Sequence, residues 1–222
     1  MVALAQRLAV DLATRGHMDL REETAALYAL SNFSAANYYE TAGAGGESGV
    51  AGQSFGGATL FRARYSSSVV RQLRSVRGAA NNGWQHVVYP TGVGANYGSG
   101  ADYPDTPRHA FVANDWGRLH CLLTVYDAVA GRVRVWLDRL YIGEVVQPAY
   151  SPAAAPARIG AYTAGASPGD GLDVLSTLDF RGLPSFAQVE AFFDEVRAIG
   201  DLPRAIAGAA VTHRSSVSGS LP

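Results

Sequence analysis

The stretch RLHCLLTVYDAVAGRVRVWLDRLYIGEVVQ, residues 118–147, decides the fold. Its first run places Leu119, Cys121, Leu123 and Val125 on one side. Its second places Val133, Val135 and Leu137 on one side and Arg132, Arg134 and Trp136 on the other. A third run, YIGEVVQ, follows at 141–147. A period of two is that of a β-strand, whose successive side chains point to opposite faces.

The same texture extends outward from this segment. Upstream lie ATLFRARY (58–65), VVRQLRSV (69–76), WQHVVY (84–89) and RHAFVA (108–113), with RGAANNG as a turn between the second and third. In the first of these, Thr59, Phe61, Ala63 and Tyr65 share one face and Arg62 and Arg64 the other. Downstream lie ARIGAY (157–162) and LDVLSTLDF (172–180). Many short alternating runs separated by turn residues predict an all-β fold, a two-sheet antiparallel β-sandwich or jelly roll.

Other segments break the pattern. Residues 1–30 carry helical signals, with Asp19 and Glu22 spaced as a capping box ahead of AALYAL. Residues 31–57 read as a Ser-, Asn- and Gly-rich loop. SFAQVEAFFDEVRAIG (185–200) spaces Val189, Phe192, Phe193 and Val196 for one helical face, with Ser185 as N-cap and Gly200 at the C-terminal end. The expected organisation is a partly helical N-terminal extension over 1–50, a sandwich over 51–203 and a small-residue tail over 204–222.

Composition narrows the function. The chain has 222 residues, 48% hydrophobic and 17% charged, a balance suited to a packed core. All 18 cationic residues are arginine, and against 19 acidic residues they leave a formal net charge of −1. That balance argues against a nucleic-acid partner. No apolar run reaches membrane-spanning length, and the first residues lack the pattern of a secretory signal, so no membrane insertion is expected. The single cysteine, Cys121, allows neither an intrachain disulfide nor a cysteine-cluster zinc site.

Residues 116–197 resemble the laminin-G-like, concanavalin-A-like lectin/glucanase superfamily. The residues that carry the likeness are Leu123-Thr124-Val125-Tyr126-Asp127, Val133-Arg134-Val135-Trp136-Leu137-Asp138, Ala157-Arg158-Ile159-Gly160 and Asp179-Phe180-Arg181-Gly182-Leu183. The helix containing Glu190 follows, and looser matches extend the likeness to residue 55. The family's usual Asp-Gly turn is Asp138-Arg139 here, and the first 50 residues have no counterpart. The resemblance implies a concanavalin-A-like sandwich, a binding or adhesion module, calcium at the rim in some members, and an extracellular, cell-surface or particle-associated setting.

Catalytic patterns are weak. Retaining glycosidases of this superfamily space acidic residues two apart on one strand, and no two of the 19 are so spaced. The cluster Glu190, Asp194 and Glu195 falls on the expected helix. Gly52-Gln53-Ser54-Phe55-Gly56 fits G-x-S-x-G, but a strand follows where a nucleophile elbow needs a helix. His17, His86, His109, His120 and His213 lack metal-ligand spacing. Cys121 alternates with leucines and reads as a buried small hydrophobe. The chain is therefore expected not to be an enzyme. A hydrolase or lyase with carboxylates drawn from separate strands is the alternative.

Binding residues are sought in Pro90–Pro107, PTGVGANYGSGADYPDTP, read as one long strand-free loop. It offers Asn96, Tyr97, Asp102, Tyr103 and Asp105 for stacking on a sugar or hydrogen bonding to hydroxyls; Asp102 and Asp105 also suit calcium. A solvated connection is the plainer alternative. Trp136 joins the candidates as an outward aromatic marking an interface, or else lies under the other sheet. Tyr38, Tyr39, Trp84 and Trp116 are further aromatic candidates. No cofactor is required. The partner classes are protein or glycan, with a homo-oligomer or larger assembly as the structural version.

Overall fold

The computed structural model describes residues 30–31, 33–40, 49–78, 81–162 and 166–205. The helix expected near Asp19 lies outside them, as does the tail beyond residue 205. Among the described residues eleven strands form two antiparallel sheets. The first sheet contains β1 (Tyr39–Glu40), β10 (Arg158–Ile159), β3 (Arg71–Arg77), β4 (Gly83–Tyr89), β5 (Gly92–Tyr97) and β6 (His109–Ala110), in that spatial order. The second contains β11 (Leu172–Arg181), β2 (Phe55–Ala63), β7 (Leu119–Asp127), β8 (Arg132–Leu137) and β9 (Leu140–Val146). One helix, α1 (Phe186–Ala205), follows β11 and runs beyond Gly200. The β-sandwich read from the alternation is the observed fold.

Between the sheets lies the larger core. Phe55, Phe61, Leu122, Tyr126, Val133, Val135 and Leu137 meet Leu73, Val76, Trp84, Val88, Val93 and Tyr97 across it. Gly57 is required here by close approach: a Cβ at this position would stand 2.4 Å from the Trp84 ring. Leu30, Phe33 and Tyr39 also pack into this core, although the sequence grouped them with the N-terminal extension.

A second core lies on the outer face of the five-stranded sheet. Ala58, Leu60, Cys121, Leu123, Val125, Trp136 and Leu175 pack against Val189, Phe192, Phe193 and Val196 of α1. The helix begins as the sequence indicates. Ser185 Oγ accepts from the Gln188 amide, and Gln188 Oε1 accepts from the Ser185 amide, a reciprocal capping box. Two readings change as a result. The Cys121 alternation does face a core, but the one beneath the helix. Trp136 does point outward, yet it is only 4% exposed because α1 covers it.

The β8–β9 turn fastens the helix in place. Asp138 and Arg139 both adopt positive φ, 51° and 78°, the geometry of a two-residue hairpin turn. A glycine at Arg139 would relax this backbone. The arginine instead forms ion pairs with Glu190 and Asp194 on α1. Asp138 accepts from the Cys121 amide at 2.7 Å and pairs with His120 Nδ1. Burial disfavours the charged His120 ring, but Asp138 and Asp115 outweigh it and raise its pKa.

A polar group sits inside the main core. His86 Nδ1 meets Thr59 Oγ1 at 2.9 Å, and Nε2 meets Thr124 Oγ1 at 2.7 Å. Burial, followed by the charge of Arg74, pushes its pKa down to about 3.

Two measurements test this architecture. Trp136→Ala removes a side chain held between sheet and helix and should cost about 3–5 kcal/mol in chemical denaturation; a solvent-facing tryptophan would cost far less. In the unfolded chain His86 takes up its proton near pH 6.5, but in the folded chain only near 3. The unfolded state therefore binds more protons between these values. His86 contributes a loss of stability as pH falls through that window, up to about 5 kcal/mol in total. Its ring resonances should not titrate in the native protein until about pH 3.

Candidate functional site

The outer face of the six-stranded sheet, away from α1, carries a row of polar side chains. Register pairs Glu40 with Arg158, Arg158 with Ser75, Ser75 with Gln85, and Gln85 with Asn96. A bridge continues the row from Asn96 to Asp105. These residues cross five strands and one loop, so the row spans about 19 Å from β1 to β5 at ordinary strand spacing. The adjacent register, Tyr39, Ile159, Arg74, His86 and Ala95, faces the opposite way, into the sandwich.

A bulge widens the row. The pairing of β3 with β4 shifts between Gln72 and Arg74, leaving Leu73 as the extra residue. Gln72 and Ser75, three apart in sequence, therefore come to the same face. Arg77, two beyond Ser75, shares that face as well.

Both ends of the row neutralise their own charges. At one end Arg158 Nε donates to Glu40 at 2.5 Å. At the other, Asp105 accepts from Asn96, from the Tyr89 hydroxyl at 3.0 Å, and from Arg108. The Arg108 guanidinium lies 3.5 Å over the Tyr89 ring. Burial and the charge of Asp105 hold the Tyr89 phenol well above its ordinary pKa.

The centre of the row differs. Gln85 Nε2 donates to Asn96 Oδ1 at 2.9 Å, but Gln85 Oε1 has no hydrogen-bond partner among the described residues. Neither does Ser75 Oγ or Gln72 Oε1, although all three residues are buried. Beside them the Arg77 guanidinium lies 3.8 Å from the Tyr103 ring centroid and 4.7 Å from that of Tyr162. Arg77 Nε and the Tyr103 hydroxyl are also without partners. Burial raises the Tyr103 phenol far above its ordinary pKa, so it stays protonated. Each enclosed, unpaired polar atom costs on the order of 1–3 kcal/mol. Five of them on one face are a feature to be explained.

The structure sorts the sequence candidates. Asn96, Tyr103 and Asp105 come together on this face. Asp102 lies exposed in a turn, where it accepts from the Tyr103 amide at 2.7 Å. Tyr97 points into the sandwich core, its hydroxyl 2.6 Å from Thr124 Oγ1. The strand-free reading of 90–107 gives way there, because residues 92–97 form β5 and pair along β4. Trp136 belongs to the other sheet, beneath α1. Gln72, Ser75, Arg77, Gln85 and Arg158 were missed. Their inward neighbours Leu73, Val76, Trp84 and Ile159 were the available signal, but the bulge and the strand order that align them are not local properties.

Other candidate chemistry finds structural uses. Ser54 ends a turn that leads into β2, and its Oγ accepts from the Ala128 amide. Cys121 is buried and its thiol pKa is pushed far up by burial. Among the described residues no group of three His, Cys, Asp or Glu is placed to hold a metal ion. Acidic side chains are engaged within the chain: Asp127 and Glu144 share Arg134, Glu144 also meets Arg132, Glu190 and Asp194 share Arg139, Asp173 pairs with Arg64, Asp179 with Arg74, and Asp170 accepts from the Tyr65 hydroxyl. No helix among the described residues is long and apolar enough to cross a membrane.

The sequence matches no protein-family model and no curated protein. The structure is similar to several solved β-sandwich domains. One is a protein of Bacteroides ovatus ATCC 8483 with an inferred carbohydrate-binding role, at TM-score 0.54 and 12% identity, covering 74% of this chain and 46% of that one. Another is the binding domain of botulinum neurotoxin DC in complex with SialylT, at TM-score 0.52 and 8% identity, covering 65% of this chain and 36% of that one. A third is the receptor binding domain of botulinum neurotoxin mosaic serotype C/D, at TM-score 0.52 and 6% identity, covering 64% and 36%. The match spans less than half the length of each neighbour. At these identities the likeness is one of fold, a sandwich shared with binding domains.

Proposed function

We propose that the protein is a non-catalytic, lectin-like binding module that takes a neutral glycan across the outer face of its six-stranded sheet. The observation that carries the proposal is the set of enclosed, unpaired polar atoms on Gln72, Ser75, Arg77, Gln85 and Tyr103. Two of these atoms are amide oxygens that only accept, and two are hydroxyls that donate or accept. Sugar hydroxyls supply the donors that the amide oxygens lack. Glu40 pairs with Arg158 and Asp105 with Arg108, so the two ends of the row offer no unpaired charge to an ionic ligand. Tyr103, on the loop between β5 and β6, stacks over Arg77 at the border of the row and is the side chain that an incoming ligand displaces.

The fold shared with carbohydrate-binding and receptor-binding domains supports this reading. So does the engagement of neighbouring carboxylates by arginine, as with Asp127 and Glu144 on Arg134 and Glu190 and Asp194 on Arg139, since a glycosidase on this scaffold needs two of them free to flank one bond. A glycan ligand accords with an extracellular, cell-surface or particle-associated setting.

A glycan array followed by calorimetry on the strongest binder tests the proposal. Gln85→Leu should weaken that binder by about tenfold or more, the worth of a buried hydrogen bond. Retained affinity in Gln85→Leu, or no glycan bound at all, would overturn it. The same atoms yield a stability test. Ser75→Ala and Gln72→Met each replace an unpaired polar group with an apolar one of similar shape. Each should raise the stability of the free protein by about 1 kcal/mol while weakening binding. A stability loss on both would show that these atoms are already satisfied.

A further inference from the structure

We infer that His120 is a proton-operated latch: its doubly protonated ring fastens the 111–118 segment, between β6 and β7, to the end of the sandwich, and loss of one proton frees that segment. The latch uses none of the residues of the polar row. His120 is buried near the start of β7, its ring 5.0 Å from that of Phe111 and 5.8 Å from that of Phe61. Nδ1 faces Asp138 Oδ2 at 2.5 Å, and Nε2 faces the Asp115 carbonyl oxygen at 2.9 Å. A carboxylate and a carbonyl only accept, so both bonds form only when both ring nitrogens carry protons. His86, also buried, shows the contrast. Its two partners are hydroxyls, each able to donate or accept, and a neutral ring satisfies both.

The charged groups around the ring come from several elements. Asp138 stands on the β8–β9 turn and Asp115 on the segment itself. Beyond Asp115 lies His109 of β6, with Nε2 3.9 Å from the Asp115 carboxylate. Arg139, next in the turn, is directed to Glu190 and Asp194 on α1. Arg71 of β3 lies over the Trp116 ring, and Arg118 is exposed. Burial opposes the charge on His120, but Asp138 and Asp115 more than offset it, so the ring keeps its second proton to a higher pH than a free histidine. The latch is therefore closed through the ordinary histidine range and below, and opens as pH rises through the raised value. A neutral ring has one N–H left. The charge-assisted bond to Asp138 retains it, being the stronger of the two. Nε2 then turns a lone pair toward the Asp115 carbonyl, and the segment loses its tie while the turn and α1 keep theirs.

The segment is a self-closed turn. The Val112 amide donates to the Asp115 carboxylate at 2.8 Å, and the Asp115 amide to the Val112 carbonyl at 3.0 Å. Backbone bonds anchor it at either end, from the Phe111 amide to Thr91 and from the Gly117 amide to Ala63. Between these anchors His120 ties the turn to β7. The outer side of the turn is in solvent, with Val112 63% exposed. Phe111 and Trp116 pack on the main core and on each other, ring centroids 5.0 Å apart. Release lifts the turn, and Trp116 with it, from the end of that core.

An NMR titration of the full chain tests the inference. The His120 ring and the Trp116 indole N–H should shift with one shared midpoint, above the ordinary histidine range. Proton contacts between the His120 ring and the segment should be lost above it, while the resonances of α1 hold still. Asp138→Asn should carry both midpoints together to lower pH by about one unit or more. His120→Gln should abolish the Trp116 transition, and His109→Gln should leave it in place. A Trp116 resonance that stays fixed while His120 titrates overturns the inference. So does a His120 midpoint at or below the ordinary range, movement of α1 together with the segment, or a transition that survives His120→Gln or vanishes in His109→Gln. The comparison of His120 with Trp116 is made in the wild type, so a variant that fails to fold leaves the test standing.

Discussion

Burial of β2 and β7, in the middle of the five-stranded sheet, on both faces is the constraint on which the rest of the structure depends. β2 and β7 have no solvent side. Phe55 and Phe61 of β2, with Leu122 and Tyr126 of β7, face the other sheet, while Ala58 and Leu60, with Cys121, Leu123 and Val125, face α1. The helix is therefore a third layer. Beyond the helix, β8 and β9 carry Arg132, Arg134 and Glu144 on that face, while the far face of the six-stranded sheet is polar along a row that crosses five strands. The cluster of unpaired polar groups on Gln72, Ser75, Arg77, Gln85 and Tyr103 lies on the far side of the other sheet, away from the helix.

Much of this was legible locally. Alternation located the main strands, and the spacing of Val189, Phe192, Phe193 and Val196 located the helix. What alternation does not reveal is the identity of the layer each face meets. Cys121 and Leu123 were correctly set on one side, but that side faces a helix some 65 residues later in the chain. Trp136 was correctly set outward, and the same helix covers it. Tyr97 was taken for a loop residue because glycines surround it, yet the β4–β5 pairing makes it core. The polar row was illegible for a different reason. Ser75, Gln85 and Arg158 are neighbours only through strand order and register, and Gln72 joins them only through a one-residue bulge.

Arginine as the sole long cation suits this architecture. Arg77, Arg108, Arg71 and Arg74 all lie over aromatic rings. Several also engage a carboxylate or a carbonyl in the plane of the guanidinium, a use of both face and edge that a lysine ammonium does not match. The near-neutral charge of the whole chain is thus reproduced in small local pairings. That leaves no strong field to steer a charged partner.

The two-residue turn at Asp138 and Arg139 bears on the order in which the chain acquires its structure. Arg139 reaches α1, while Asp138 ties the turn to Cys121 and His120 of β7. The helix seat is therefore incomplete until the local β7–β8–β9 meander has formed. Its remaining floor includes β2 and β11, which pair across more than a hundred residues. Long loop closures of this kind are slow to form. The helix, although local and well capped, docks late, and its side-chain contacts contribute to the unfolding rate more than to the folding rate.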